Sequence, residues 1–495
     1  MFQLIPLALL PMAAALIFGL GIALGARRDN MVILGLAIAT SVAGLVPMLI
    51  DRMRPLEKRN LILTFICLAF IIGFVLPVYT HYYLNDGQMP GIAMLVGIGP
   101  ADIINAQLAA LLGLISLIIG FTLPVGSLAA SILPQPRQDW SASVSIAVAM
   151  VMIPLGLAVT LAGQFSLIPG WMGTGIMNGI SSAYLAGIAL LAITYFRYKS
   201  RVALLLGIIL VPPMMALAFF TGSKTLMLSP VMMIAFSHIV LTRRIRAFWV
   251  VGGLAAIILI YPLTNFYRQV VTMGLNLSAV EVLTNPTRTF ELLSAFTSQA
   301  DLTDYLTVGL ENTGRRFDAV GITAVIVRDT PDLVPFQGGW SIGYVFASYI
   351  PRVLWPDKPE TTVLGQWITS NYGPGPHITS HTAPSWVGEF YLNFGFPGIA
   401  LGCMSLGIFF RMLQNFLLRG NPTVPKVLAG VIIVSLTAQS LEKSLVITVN
   451  TLLLHVIPVV AAYFAVAALA LGRQRPSALT TPANSSPDLR SDPTS

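Results

Sequence analysis

Apolar runs of about 20 residues recur along almost the whole of this chain, each long enough to cross ~30 Å of hydrocarbon at ~1.5 Å rise per residue. They fall near residues 4–25, 31–50, 61–80, 103–130, 142–163, 176–196, 202–220, 226–242, 247–265, 388–413, 426–443 and 448–471. A chain so built has lipid as its main solvent and satisfies its backbone inside helices. Its 10% of charged residues stand against ~25% in a soluble domain. We therefore expect an all-α integral membrane protein with about twelve transmembrane helices. The first run ends in small residues, as a signal peptide does. No basic stretch precedes it and Arg27 and Arg28 follow, so we read it as a retained span. Cys67 and Cys403 lie inside apolar runs, where a thiol packs as a small hydrophobe.

A net charge of +8 would suggest nucleic acid in a soluble protein, but here the basic residues follow topology and no nucleic-acid partner is expected. The even-numbered connections carry Arg52, Arg54, Lys58, Arg59, Arg137, Arg197, Lys199, Arg201, Arg243, Arg244, Arg246, Arg419 and Lys426, and Arg473 and Arg475 follow the last span. The short odd connections hold Arg27, Arg28, Lys224 and Lys443. The excess assigns the even side and both termini to the cytoplasm. The expected organisation is a helix bundle over 1–267, a large outer loop over 268–387, three returning helices over 388–472 and a disordered cytoplasmic tail over 473–495. The tail is rich in Pro, Ser, Thr and Asp and too poor in apolar residues to order itself.

The loop is far longer than the usual ~4–6 residue connection and is the place to look for chemistry. Its tryptophans, Trp340, Trp355, Trp367 and Trp386, argue that it folds. The pattern predicts a helix beginning near Arg315, with Phe317, Val320 and Ala324 on one face, stopped by Thr330 and Pro331. The apolar stretch 342–350 is too short to span and reads as re-entrant or interfacial, so the loop should lie down on the bundle.

Cations gather on the outer side: Lys224, Arg268, Arg288, Arg315, Arg316, Arg328, Arg352, Lys358 and Lys443. Lys224 belongs to the turn Thr221-Gly-Ser-Lys-Thr225, whose amides can help bind an anion at a helix start. Guanidinium groups in a low dielectric suit a diphosphate, while any single one is as well explained by solvation or lipid headgroups. Arg315, Arg316 and Asp318 form either a diphosphate clamp with its orienting acid or an ordinary i,i+3 pair. Arg352-Val-Leu-Trp-Pro-Asp-Lys-Pro359 is stiffened by its prolines. Glu389, in Gly388-Glu-Phe-Tyr-Leu-Asn393, stands where the loop re-enters the membrane, as a general base or as a capping glutamate. His377 and His381 lack a third ligand, and no metal site is expected. His455 reads as a core histidine.

These stretches together, Thr-Gly-Ser-Lys between spans, Arg-Arg-Phe-Asp, Arg-Val-Leu-Trp-Pro-Asp-Lys-Pro and Gly388-Glu-Phe-Tyr-Leu-Asn-Phe-Gly-Phe-Pro-Gly398, resemble the Wzy family of O-antigen and exopolysaccharide repeat-unit polymerases. Arg328 and Gly339 also match that family's arginine, ten residues, glycine spacing. The chain departs from the family in having one long outer loop, since residues 164–175 carry no arginine.

The resemblance implies a GT-C-like glycosyltransferase at the outer face of a bacterial inner membrane. It would join oligosaccharide repeat units carried on undecaprenyl diphosphate, beside a flippase and a chain-length regulator of the same pathway. No cofactor is implied. Lys224, Arg268, Arg315, Arg316, Arg352 and Lys358 would hold the diphosphate, and Glu389, or alternatively Asp318 or Asp357, would accept the acceptor proton. Trp355, Trp367, Trp386, Tyr391 and His381 would contact sugars. Two alternatives stay open: an O-antigen ligase, which differs in acceptor, and a transporter or flippase, which calls for polar residues at mid-depth in the spans.

Overall fold

In a computed structural model the described residues, which are 28–83, 92–164, 174–220, 224–267, 318–347, 363–373 and 382–473, apart from isolated positions, with short pieces between, are mostly helical and include no strand. In order, α1 is Arg28–Met53, α2 Leu61–Phe70 with π-helical turns at Ile71–Val75 and Val78–Tyr83, α3 Ile92–Val96, α4 Pro100–Thr122, α5 Pro124–Ile132, α6 Ala142–Gln164, α7 Thr174–Ser181 and α8 Ala183–Tyr198. Then come α9 Arg201–Phe220, α10 Lys224–Thr242, α11 Ala247–Tyr267, α12 Val320–Asp329, α13 Trp340–Ala347, α14 Val363–Tyr372, α15 Ser385–Leu418, α16 Val424–Thr437 and α17 Leu445–Arg473.

Nine stretches among the described residues are long and apolar enough to cross a membrane, and Leu226–Thr242 and Val424–Thr437 are shorter apolar helices. The first expected span, 4–25, and the tail beyond 473 lie outside the described residues. α9 and α11 turn side chains such as Leu205, Ile209, Leu254 and Leu259 outward. Such apolar faces suit lipid and would be a liability in water.

The centre of the bundle is the pair α4 and α15, and it is built on glycine. A Cβ on Gly120 would lie 2.0 Å from the Met404 carbonyl oxygen, and one on Gly407 would lie 2.1 Å from that of Leu117. Small residues there let the two backbones touch, which is how helices associate when lipid supplies no hydrophobic drive.

Two expected spans are broken. The run 103–130 divides at Leu123, which is extended (φ −61°, ψ 144°) before Pro124, the first residue of α5. The clash of a proline ring with its predecessor disfavours helical geometry there.

The span expected at 388–413 is a helical hairpin. Gly395 adopts φ 66°, ψ −153°, a conformation essentially closed to side-chain-bearing residues. Residues 385–394 fold back along 396–418. Trp386 stacks on Phe410 with centroids 5.8 Å apart, and a Cβ on Gly402 would meet the Phe390 ring. In a straight helix those pairs would stand ~36 and ~18 Å apart. The second arm, at ~1.5 Å per residue, is long enough to span, and the first is too short to do so.

The loop does not simply lie on the bundle either. α12 packs against α4 and α15 and is buried along nearly its whole length. The Ala319 amide donates to the Gly73 carbonyl, 3.0 Å away, in the π-helical turn Ile71–Val75 that follows α2. The helix described begins at Val320, where the Asp318 carboxylate accepts from the Gly321 amide at 2.8 Å, and Arg315, near which a helix was expected to begin, lies outside the described residues. It ends where expected, at Thr330, which is extended.

A candidate site around the re-entrant arm

The first arm of α15 carries Ser385, Glu389 and Asn393 at four-residue spacing, so all three share one face, and all are essentially fully buried. Ser385 Oγ lies 3.1 Å from Thr323 Oγ1 of α12 and accepts from the Gly388 amide. One carboxylate oxygen of Glu389, Oε2, accepts from the Leu445 amide at 2.6 Å, at the start of α17. The positive end of that helix favours a negative charge there. The other oxygen, Oε1, is buried with no hydrogen-bond partner among the described residues, and the Ser341 hydroxyl that Asn393 holds also acts on this carboxylate. Asn393 closes the top of the face: its Nδ2 donates to Ser341 Oγ at 2.8 Å and to the Glu389 carbonyl, and its Oδ1 accepts from the Gly339 amide at 2.8 Å.

Above this face the loop helices form an aromatic layer. Trp340 and Trp367 meet edge to face at 6.3 Å, Trp367 meets Tyr372 at 6.1 Å, and Tyr391 lies between Phe336 and Phe396. Such geometry suits the aromatic quadrupole. Trp340 is about 40% exposed, so part of the layer faces outward. Tyr372 bonds Thr330 through its hydroxyl; burial pushes its phenol up to about 12, with the Thr330 bond acting against that. Arg328 forks onto the Asp329 carboxylate, Nε to Oδ1 at 2.7 Å and Nη2 to Oδ2 at 3.1 Å, and also donates to the Gly97 carbonyl. The bond to Asp329 raises its pKa, and burial opposes the rise.

The expected site residues separate into three groups. Arg268, Arg315, Arg316, Arg352, Asp357 and His381 lie outside the described residues. Glu389, Asp318, Tyr391 and Trp367 are brought to α12, α14 and the first arm, although Asp318 lies below the Thr323–Ser385 contact and Glu389 above it. Lys224 opens α10, Lys358 donates to the Ile350 carbonyl at 2.8 Å, and Trp355 is exposed.

Two of the residues expected to contact sugars are enclosed by the protein. Trp386 is fully buried, with its Nε1 donating to Thr448 Oγ1 at 3.0 Å and its ring on Phe410. Tyr391 is also buried, with its hydroxyl 3.4 Å from the Thr330 carbonyl. Neither ring has a face open to a ligand, because the hairpin turns both inward. Reading the sequence gives no role to Ser341, Thr323, Ser385 or Asn393, of which the last two stand in or beside the Glu389 stretch. Asn393 had a signal, its four-residue spacing from Glu389. No group of three or more metal-ligating residues occurs among the described residues.

Residues 47–416 match the model of a family described as a domain of unknown function, DUF8712. The match covers most of the chain, which therefore belongs to that family. No curated protein and no solved structure matches it.

Proposed function

We propose that this chain is a membrane glycosyltransferase that polymerises oligosaccharide repeat units carried on undecaprenyl diphosphate, at the outer face of a bacterial inner membrane. The observation carrying the reading is the coincidence of motif and backbone. Gly388-Glu-Phe-Tyr-Leu-Asn-Phe-Gly-Phe-Pro-Gly398, the longest stretch of the resemblance, forms the first arm and the tip of the hairpin. A broken helix of this kind is tolerated at membrane depth where protein or a polar site surrounds it.

In the reaction the acceptor hydroxyl attacks the anomeric carbon of the donor repeat unit. The bond from that carbon to the diphosphate breaks, the diphosphate leaves with the bonding pair, and the hydroxyl proton passes to a carboxylate. Glu389 is the carboxylate we assign, through Oε1, and Trp340 and Trp367 are the aromatics we assign to the sugars. Since Glu389 is enclosed between the arm and the start of α17, acceptor entry requires the arm to move from that turn. The outer arginines and Lys358 would stabilise the leaving diphosphate.

Deleting the gene tests this on the surface glycan. Single repeat units on their final acceptor support a polymerase. Long chains left on the carrier lipid mean a ligase instead. Loss of outward delivery means a flippase, a reading favoured by one observation, the buried carboxylate on a discontinuous helix.

A further inference from the structure

At the end of the bundle away from the loop helices, which the charge count assigns to the cytoplasm, a buried guanidinium, Arg243, and three half-buried ones, Arg54, Arg59 and Arg411, gather around one buried carboxylate. Arg54, Arg59, Arg243 and Arg411 all act on the single carboxylate of Asp51. That carboxylate already accepts two bonds from the Asn60 amide, at 2.8 and 2.9 Å, and stands 3.7 Å from Arg54. The remaining guanidinium donors go largely to neutral acceptors. Arg59 reaches the Arg243 and Arg52 carbonyls, Arg411 reaches Asn60 Oδ1 and Ser127 Oγ, and Arg243 reaches the Leu418 carbonyl. Two donors are buried with no partner among the described residues, Arg59 Nε and Arg243 Nη1. A buried charge without a counter-charge is costly, so this end calls for an anion.

Beside Arg243 lies an open cavity of ≈ 370 Å³, lined among others by Glu57, Arg197, Thr242, Arg243, Asn421 and Pro422. That volume suits a small headgroup. Arg243 is about 8% exposed and holds φ 54°, the left-handed region that side-chain-bearing residues seldom occupy. Arg197 is fixed across the cavity by Asp139 at 2.9 Å and the Pro422 carbonyl at 3.0 Å. Lys58, Arg244 and Arg419, each next in sequence to a lining residue, are exposed around it. Such a rim raises the local concentration of anions. Basic pockets between spans on this side of a membrane meet anionic headgroups at the same depth.

We propose that this cavity binds a phosphate-bearing anion, with Arg243 as the principal cation and Thr242 and Asn421 as polar contacts. The phosphate belongs to a lipid headgroup or to a free phosphate compound, and the test separates the two. The full chain, purified in neutral detergent, is unfolded thermally with dihexanoyl phosphatidylglycerol, with dihexanoyl phosphatidylcholine, or with inorganic phosphate. A rise in midpoint with phosphatidylglycerol alone identifies a headgroup site, and a rise with inorganic phosphate as well identifies a free-phosphate site. Asn421→Asp sets a negative charge at the exposed mouth without touching the Asp51 network, and should abolish the rise. Arg201→Gln removes an exposed cation that does not line the cavity, and should keep it. No rise with either anion, an equal rise with phosphatidylcholine, or an equal rise in Asn421→Asp overturns the proposal.

Discussion

Replacing Glu389 separates its two possible duties, because Gln and Ala remove different things. The Leu445 amide is buried and donates to Glu389 Oε2 at 2.6 Å. Glu389→Ala strands that donor, which costs ~1–3 kcal/mol, and also removes the charge at the start of α17, worth up to ~2 kcal/mol in a partly buried geometry. Glu389→Gln keeps an acceptor oxygen on the Leu445 amide, loses the charge and sets an NH2 donor where Oε1 lies. Thermal unfolding followed by tryptophan fluorescence should therefore show a clearly lowered midpoint for the alanine variant and a small drop for the glutamine variant. Chain extension in cells should be abolished in both, at undiminished protein level for Glu389→Gln. If the glutamine variant still makes full-length polymer, Glu389 is a cap and the assignment of the base is wrong. If the alanine variant unfolds at the wild-type midpoint, the energetic account of the bond to Leu445 is wrong.

Three further outcomes follow from the geometry. Gly395→Ala forces a side chain into a backbone region that costs ~1–3 kcal/mol and brings its Cβ to 3.3 Å from the Phe336 ring; detergent-solubilised protein should unfold earlier, and an unchanged midpoint would contradict the hairpin. Tyr372→Phe leaves the buried Thr330 hydroxyl without its partner, a loss of ~1–3 kcal/mol that should speed proteolysis within the loop helices. Cys67 and Cys403 are both fully buried, so the native protein should take up no maleimide until denatured, and rapid native labelling would contradict the packing of α2 and α15.

Most of the bundle was legible in the sequence because a span announces itself by length and hydropathy alone. The stop of α12 at Thr330 was legible for a similar local reason, the proline that follows. The hairpin in α15 was not. Both of its arms are mostly apolar, so 388–413 reads as one long run with nothing to mark a fold-back at Gly395. The fold-back is decided by tertiary contact, Gly398 and Gly402 admitting the Phe390 arm, which no periodicity reveals. The same cause hid the surroundings of Trp386: in the sequence it is a tryptophan expected to contact sugars, whereas the hairpin carries it inward onto Phe410. Glu389 was legible as a residue of interest but its bond to Leu445 was not, since the partner lies a whole helix pair away in sequence.

Reconstitution tests the polymerase reading most directly. The purified chain in liposomes, supplied with repeat units on undecaprenyl diphosphate and no other protein, should yield products of two and more units and release undecaprenyl diphosphate in step with each linkage. Repeat units that stay single while the carrier remains fully loaded would contradict it.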